Sequence, residues 1–244
     1  MRKGFGIRVV PCKFRQDNRG YYIDKENNTI SDALMSVKHI SKRVADTLYS
    51  MRDKVYPTFV DLLYEMEMHP AFDSRNTEIL IRMGYFEEFG SKGKLLNIFN
   101  EFRNGKNKFS KGHVEATQVK RLGILREFEL GLAEEEIPMH ETLAFEIEHY
   151  GTPISEFPDK KGFFAVVDMD TTYSPKIKLY NVARGTVGVM KVRKPTFTKH
   201  PLEIGDVLML DDWQKKPAYQ YVNGKQQVKP GVYELWMKEY SVIR

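Results

Sequence analysis

At 244 residues, 41% hydrophobic and 29% charged, the chain has the length for two modest domains and the composition of a folded protein. No run approaches the ~18 apolar residues of a membrane-spanning helix, and the single cysteine, Cys12, excludes intramolecular disulfides and multi-cysteine zinc sites. The net charge of +5, with a pI near 9.0, invites a polyanionic partner, because lysine and arginine supply most non-specific affinity for nucleic acid.

The opening Met1-Arg2-Lys3-Gly4 carries no apolar signal stretch, so a cytoplasmic protein is expected. A short strand is predicted over Gly6 to Val10 and another over Gly20 to Ile23, ended by the turn-forming residues Asp24 to Asn28. From Ser31 the apolar period becomes helical, with Leu34 and Val37, then Val44, Leu48 and Met51. Ser31 and Ser41 are the predicted N-caps of two short helices. The tight connection Lys38-His39-Ile40-Ser41 makes them a helical hairpin.

A second helical block follows. Thr58 or Asp61 caps a helix carrying Leu62, Leu63 and Met66, which ends before Pro70. Another runs from Arg75 through Ile79, Leu80 and Ile81 to Gly84, a suitable C′ residue. After Tyr85 to Ser91 comes a helix with Leu95, Leu96, Ile98 and Phe99. Helix, turn, helix thus occurs twice. Residues 103–113, beginning Arg103-Asn104-Gly105, are polar and predict a mobile loop. Residues 114–150 read as helical with a break near Pro138, and Glu134-Glu135-Glu136 as a solvated turn or helix end.

From Gly162 the pattern is β. Phe163 to Val167 is a short apolar run, Lys176 to Tyr180 alternates polar and apolar, and Arg184-Gly185 precedes Thr186 to Val192. Val207 to Leu210 follows Ile204-Gly205-Asp206, Asn223-Gly224 marks a two-residue hairpin turn, and Tyr233 to Ile243 closes the set. About five strands in so short a segment fit a small Greek-key barrel of the OB type. The predicted fold class is α+β. Residues 1–110 form a helix-hairpin-helix domain with short N-terminal strands, 111–160 a linker with helices, and 161–244 an OB-like barrel.

Four segments, taken in order, carry a resemblance. They are Gly6-Ile7-Arg8-Val9-Val10-Pro11, Ile30 to Arg52 with Ala33-Leu34-Met35-Ser36-Val37-Lys38-His39-Ile40, Leu80 to Gly90, and Glu127-Phe128-Glu129-Leu130-Gly131. Over nearly its whole length the chain resembles the C-terminal region of the bacterial DNA polymerase III alpha subunit family. The resemblance implies a DNA-binding accessory region of a replicative polymerase, either a split subunit or a free-standing relative. The family's catalytic palm would precede residue 1, so no catalytic site is expected on this chain alone, although the resemblance makes it part of a DNA-directed DNA polymerase. No cofactor is implied. The implied partners are DNA (single-stranded or template-primer), a catalytic polymerase subunit and a sliding clamp, with no membrane.

One departure is informative. The family hairpin carries glycine on both sides of an apolar residue, where backbone N–H groups approach a phosphate. Here His39 and Ser41 flank Ile40, which leaves two readings of this hairpin, phosphate contact or a purely structural role.

Between residues 161 and 200 the basic residues are Lys161, Lys176, Lys178, Arg184, Lys191, Arg193, Lys194 and Lys199, against only Asp168 and Asp170. The expected DNA-binding set is Lys176, Lys178 and Tyr180 on one strand face, with Arg184, Lys191, Arg193 and Lys194 nearby. Lys38, Ser41, Lys42, Arg43, Lys92 and Lys94 at the helical hairpins complete it. Tyr180 is expected to stack on a base. Trp213, Tyr219, Tyr221 and Trp236 read as core or hairpin packing. Gln118-Val119-Lys120-Arg121-Leu122 resembles a clamp-binding peptide without its final aromatic residue. A protein-interaction module docking on a polymerase or clamp is the alternative. A metal-dependent nuclease or polymerase using Asp168 and Asp170 is the third reading, against a solvated strand end.

Overall fold

The computed structural model describes residues 7–104 and 106–243. The chain divides into two compact units, Met1–Ile137 and Pro138–Arg244. Among the described residues it is an α+β protein with seven α-helices, a three-stranded sheet and a five-stranded sheet.

The first unit opens with β1 (Arg8–Val9), β2 (Tyr22–Asp24) and β3 (Thr29–Ser31), in the order β1-β3-β2. The start of the predicted first strand, Gly6, lies outside the described residues, as does Gly105. Ser31 does not cap a helix. It is the buried last residue of β3, paired with Tyr22, and only a 3-10 turn at Leu34–Ser36 follows. The reason lies in the spacing. Leu34, Val37 and Ile40 are all buried at three-residue steps, a period that a 3-10 turn and bends satisfy as well as a helix does. The first hairpin therefore has one true helix, α1 (Lys42–Met51), where Ser41 accepts a hydrogen bond from the Val44 N–H at 3.3 Å. His39 turns the chain with φ of 73° and meets Arg75 at 2.7 Å. A side chain occupies the conformation in which glycine is at ease.

The next helices are α2 (Phe59–Glu67), α3 (Ser74–Arg82), α4 (Lys92–Arg103) and α5 (Glu115–Gly131). Thr58 and Asp61 form a reciprocal capping box at the start of α2. The second helical hairpin, α3 to α4, turns at Gly84, whose φ is 77°. The core is aromatic, with Phe14, Phe59, Tyr85, Phe86, Phe99 and Phe102 almost fully buried.

Of the segment expected to be a mobile loop, Lys108 to His113 are tied to the neighbouring helices. Phe109 is fully buried between Phe102 and Tyr64, with ring centroids 4.7 and 5.2 Å away. Gln118 donates to the Ser110 and His113 carbonyls, and Arg121 to that of Lys108. The acidic run is also engaged. Glu134 accepts from Ser91 N at 2.6 Å and from Lys94 at 2.8 Å. Those donors, the Lys94 ammonium foremost, hold its carboxyl down at about 2.

Cys12 is buried, and desolvation pushes its thiol up to about 11. Because the thiolate is the nucleophile, the native protein is expected to resist iodoacetamide at pH 8 and to label once urea unfolds it. Mass spectrometry of timed samples checks this, and a native rate close to the unfolded one would contradict it.

In the second unit α6 (Met139–Tyr150) precedes β4 (Phe163–Asp170), β5 (Lys176–Asn181), β6 (Thr186–Val192), α7 (Lys194–Lys199), β7 (Val207–Val222) and β8 (Lys225–Ile243). The five strands pair in a closed order, β4-β5-β6-β8-β7 and back to β4. Every pair is antiparallel except β6 with β8. One core lies among Val166, Ile177, Leu179, Val192, Leu208 and Met237. A second lies where Leu143 and Ile147 of α6 cover Ala165, Tyr180, Val182 and Val207.

The segment 111–160, expected as a linker, is thus divided between the units. α5 packs against α2 and α4, and α6 against β4 and β7. No helix among the described residues is long and apolar enough to cross a membrane.

Candidate nucleic-acid interface

Where β6 meets β8 the sheet is only stitched. Lys191 pairs with Trp236 and Val192 with Met237, which leaves Thr186–Met190 without a paired strand on that side. A groove of about 330 Å³ opens there. Arg184, Val187, Gly188, Val189, Trp213 and Leu235 are among its lining residues. Val187 and Val189 are exposed, and Trp213 is 52% exposed. A Cβ added at Gly188 would meet nothing within 4 Å. Apolar and aromatic walls of this kind can take the faces of bases.

From this groove the β7–β8 hairpin runs outward as a two-stranded ribbon. It turns at Asn223-Gly224, with φ of 52° and 74°, the left-handed pair that a two-residue hairpin requires. Every residue from Tyr219 to Tyr233 is exposed.

The predicted contact residues fare unequally. Tyr180 is a correction. It shares strand parity with Lys176 and Lys178, but α6 covers only its end of that face. Its ring is 4% exposed in the core under α6, and its hydroxyl donates to the Ser155 carbonyl at 2.9 Å. It offers no ring to a base. Lys176 lies opposite both Asp170 and Lys191, and its ammonium is 3.4 Å from Asp170. Lys191 pairs with Glu234 at 2.6 Å and lies over the Trp236 ring. Lys178 is exposed and faces Asp168 across the strands. The basic strand face is therefore largely compensated. Arg193 and Lys194 are exposed at the start of α7.

In the first unit Lys38 and Arg43 are exposed, Lys42 pairs with Asp46 at 2.6 Å, and Ser41 is occupied in capping. Lys92 packs over Gly84, and Lys94 is held by Glu134.

The clamp-like segment lies within α5. Gln118 accepts from the Tyr64 hydroxyl besides its two donations, so its amide is committed internally. Asp168 and Asp170 are both exposed, and among the described residues no cluster of three metal-ligating side chains forms.

The hairpin is legible at Asn223-Gly224, but the expected contact set leaves out its lysines, and its tyrosines read as packing. From Trp213 to Tyr233 there is no Asp or Glu, while Lys215, Lys216, Lys225 and Lys229 stand among Trp213, Tyr219, Tyr221 and Tyr233. That signal was present in the chain. Compared with known proteins, the chain matches no family model and no curated sequence.

Proposed function

We propose that this chain is a DNA-binding accessory region of a replicative polymerase, and that its second unit holds single-stranded DNA in the groove between β6 and the base of the β7–β8 hairpin. The observation that carries this reading is the open groove at the β6–β8 seam, with Trp213 exposed in its lining. The strand order supports an OB-type barrel. The third and fifth strands are its parallel pair, and a helix stands between the third and fourth. In that fold the face of the second and third strands and the loop joining the fourth and fifth bind oligonucleotides. Here those are β5–β6 and the long hairpin. The segments resembling the polymerase III alpha subunit supply the replicative context.

Fluorescence anisotropy with labelled oligo(dT), titrated at several salt concentrations, tests the reading. Each neutralised phosphate steepens the dependence of log affinity on log salt by about 0.7. Gly188→Glu places a carboxylate in open groove space and is expected to weaken binding at least tenfold. Gly188→Ala, which the space also admits, should bind like the parent. Equal affinity in all three proteins would move the site out of the groove. Absence of binding in the parent would leave the protein-docking alternative.

A further inference from the structure

The hairpin continues well past the groove. At ~3.3 Å per residue, the strand from Trp213 to Val222 spans roughly 30 Å. Nothing in the closed sheet requires such length, because the tip from Tyr219 onward buries nothing. Its side chains are biased in charge and type. Four lysines and no carboxylate lie between Trp213 and Tyr233, whereas the hairpin base carries Asp211, Asp212, Glu234 and Glu239. Tyr219 and Tyr221 stand two residues apart on one face, 56% and 76% exposed, opposite Val228 and Gln226. Lys215 lies 4.1 Å from the Tyr233 ring centroid, and Lys216 lies 5.0 Å from that of Trp236.

Halfway along, pairing jumps from Pro217–Tyr233 to Tyr219–Val228. Lys229 to Val232 therefore stand out as a bulge, with Gly231 at φ of 71°. Bulges re-aim a strand, and this one lies between the groove end of the ribbon and its tyrosine-bearing tip.

We infer that this ribbon carries a single strand onward from the groove, so that groove and ribbon form one continuous track longer than the groove itself. The inference rests on the groove reading above. Tyrosine rings exposed two residues apart suit unpaired bases, which have open faces, and not a duplex, whose bases are stacked. The lysines match the phosphates between those bases. The carboxylate-free tip marks where the polyanion runs.

The test uses the full chain and two probes, (dT)6 and (dT)20. The parent protein is expected to bind (dT)20 at least tenfold more tightly than (dT)6. In Tyr219→Ser/Tyr221→Ser that length advantage should fall about tenfold, since stacked rings contribute strongly to single-strand affinity. In Lys225→Gln/Lys229→Gln the salt slope for (dT)20 should drop by about 1.4, two contacts at ~0.7 each. Gly188→Glu should weaken both lengths. Circular dichroism checks that each variant keeps its β signal, as exposed tip positions should. A full length advantage in both tip variants, with Gly188→Glu still weakening both probes, would overturn the ribbon inference and leave the groove standing. Absence of binding to either probe by the parent would overturn the groove reading and the ribbon with it. If the tip variants instead lose binding to phosphatidylserine vesicles while oligonucleotide affinity holds, the ribbon is a membrane contact and the inference falls.

Discussion

Glu129→Ala is expected to destabilise the first unit by about 3 kcal/mol. The Glu129 carboxylate is buried, and its two oxygens accept from the N–H groups of Phe59 and Val60, each at 2.9 Å. These are the first two residues of α2, where a helix leaves its N–H groups without internal partners and carries partial positive charge. The third N–H, that of Asp61, is satisfied by Thr58, and Arg126 of α5 holds the Asp61 carboxylate. One face of α5 thus closes the end of α2. Alanine at 129 leaves two buried donors unpaired, at about 1–3 kcal/mol each. Glu129→Gln keeps one acceptor and turns an NH₂ toward a donor, so an intermediate loss is expected. Urea unfolding followed at 222 nm, where the helices dominate, measures both. A loss below about 1 kcal/mol for the alanine variant would show that water reaches these groups.

The second large effect concerns where the second unit begins. A chain starting at Pro138 is expected to melt cooperatively, and one starting at Gly151 to melt far lower or aggregate. Leu143 and Ile147 lie against Ala165, Tyr180, Val182 and Val207. Burial of such side chains contributes about 1.5–3 kcal/mol each. Glu146 adds three contacts, accepting from Ile154 N, Ser155 N and the Ser155 hydroxyl. Domains of this size hold only about 5–15 kcal/mol in total, so losing α6 removes a large share. At about 4–8 °C per kcal/mol, the two chains should differ by well over 10 °C in calorimetry. Equal melting temperatures would mean that the closed sheet is self-sufficient.

Local chemistry was readable from the residues. Ser41, Thr58 and Gly84 sit at the helix ends their types suggest, and Asn223-Gly224 turns the long hairpin. What failed was inference about which surface a neighbour covers. Strand alternation places Tyr180 beside Lys178, yet only tertiary packing decides that α6 lies over one and not the other. A single Phe109 anchors a polar loop, and no periodicity announces one aromatic residue. Lys176, Lys191 and Lys94 looked available because their carboxylate partners are distant in sequence or sit across a strand pair. For the ribbon, tyrosines at alternate positions matched the pattern of cross-strand packing. Their exposure depends on how far β7 and β8 outrun the other strands.

The ribbon also faces a hazard of self-association. Past the closed sheet, β7 and β8 pair only with each other, so each presents an outer row of backbone donors and acceptors. Such edges recruit further strands and seed aggregates unless something spoils them. Pro217 removes a donor from one edge, and the Lys229-Pro230-Gly231-Val232 bulge interrupts the other. Four lysines and no acid give neighbouring copies like charges to bring together. The lysines, the proline and the bulge thus also oppose the zipping of one molecule's ribbon onto another's.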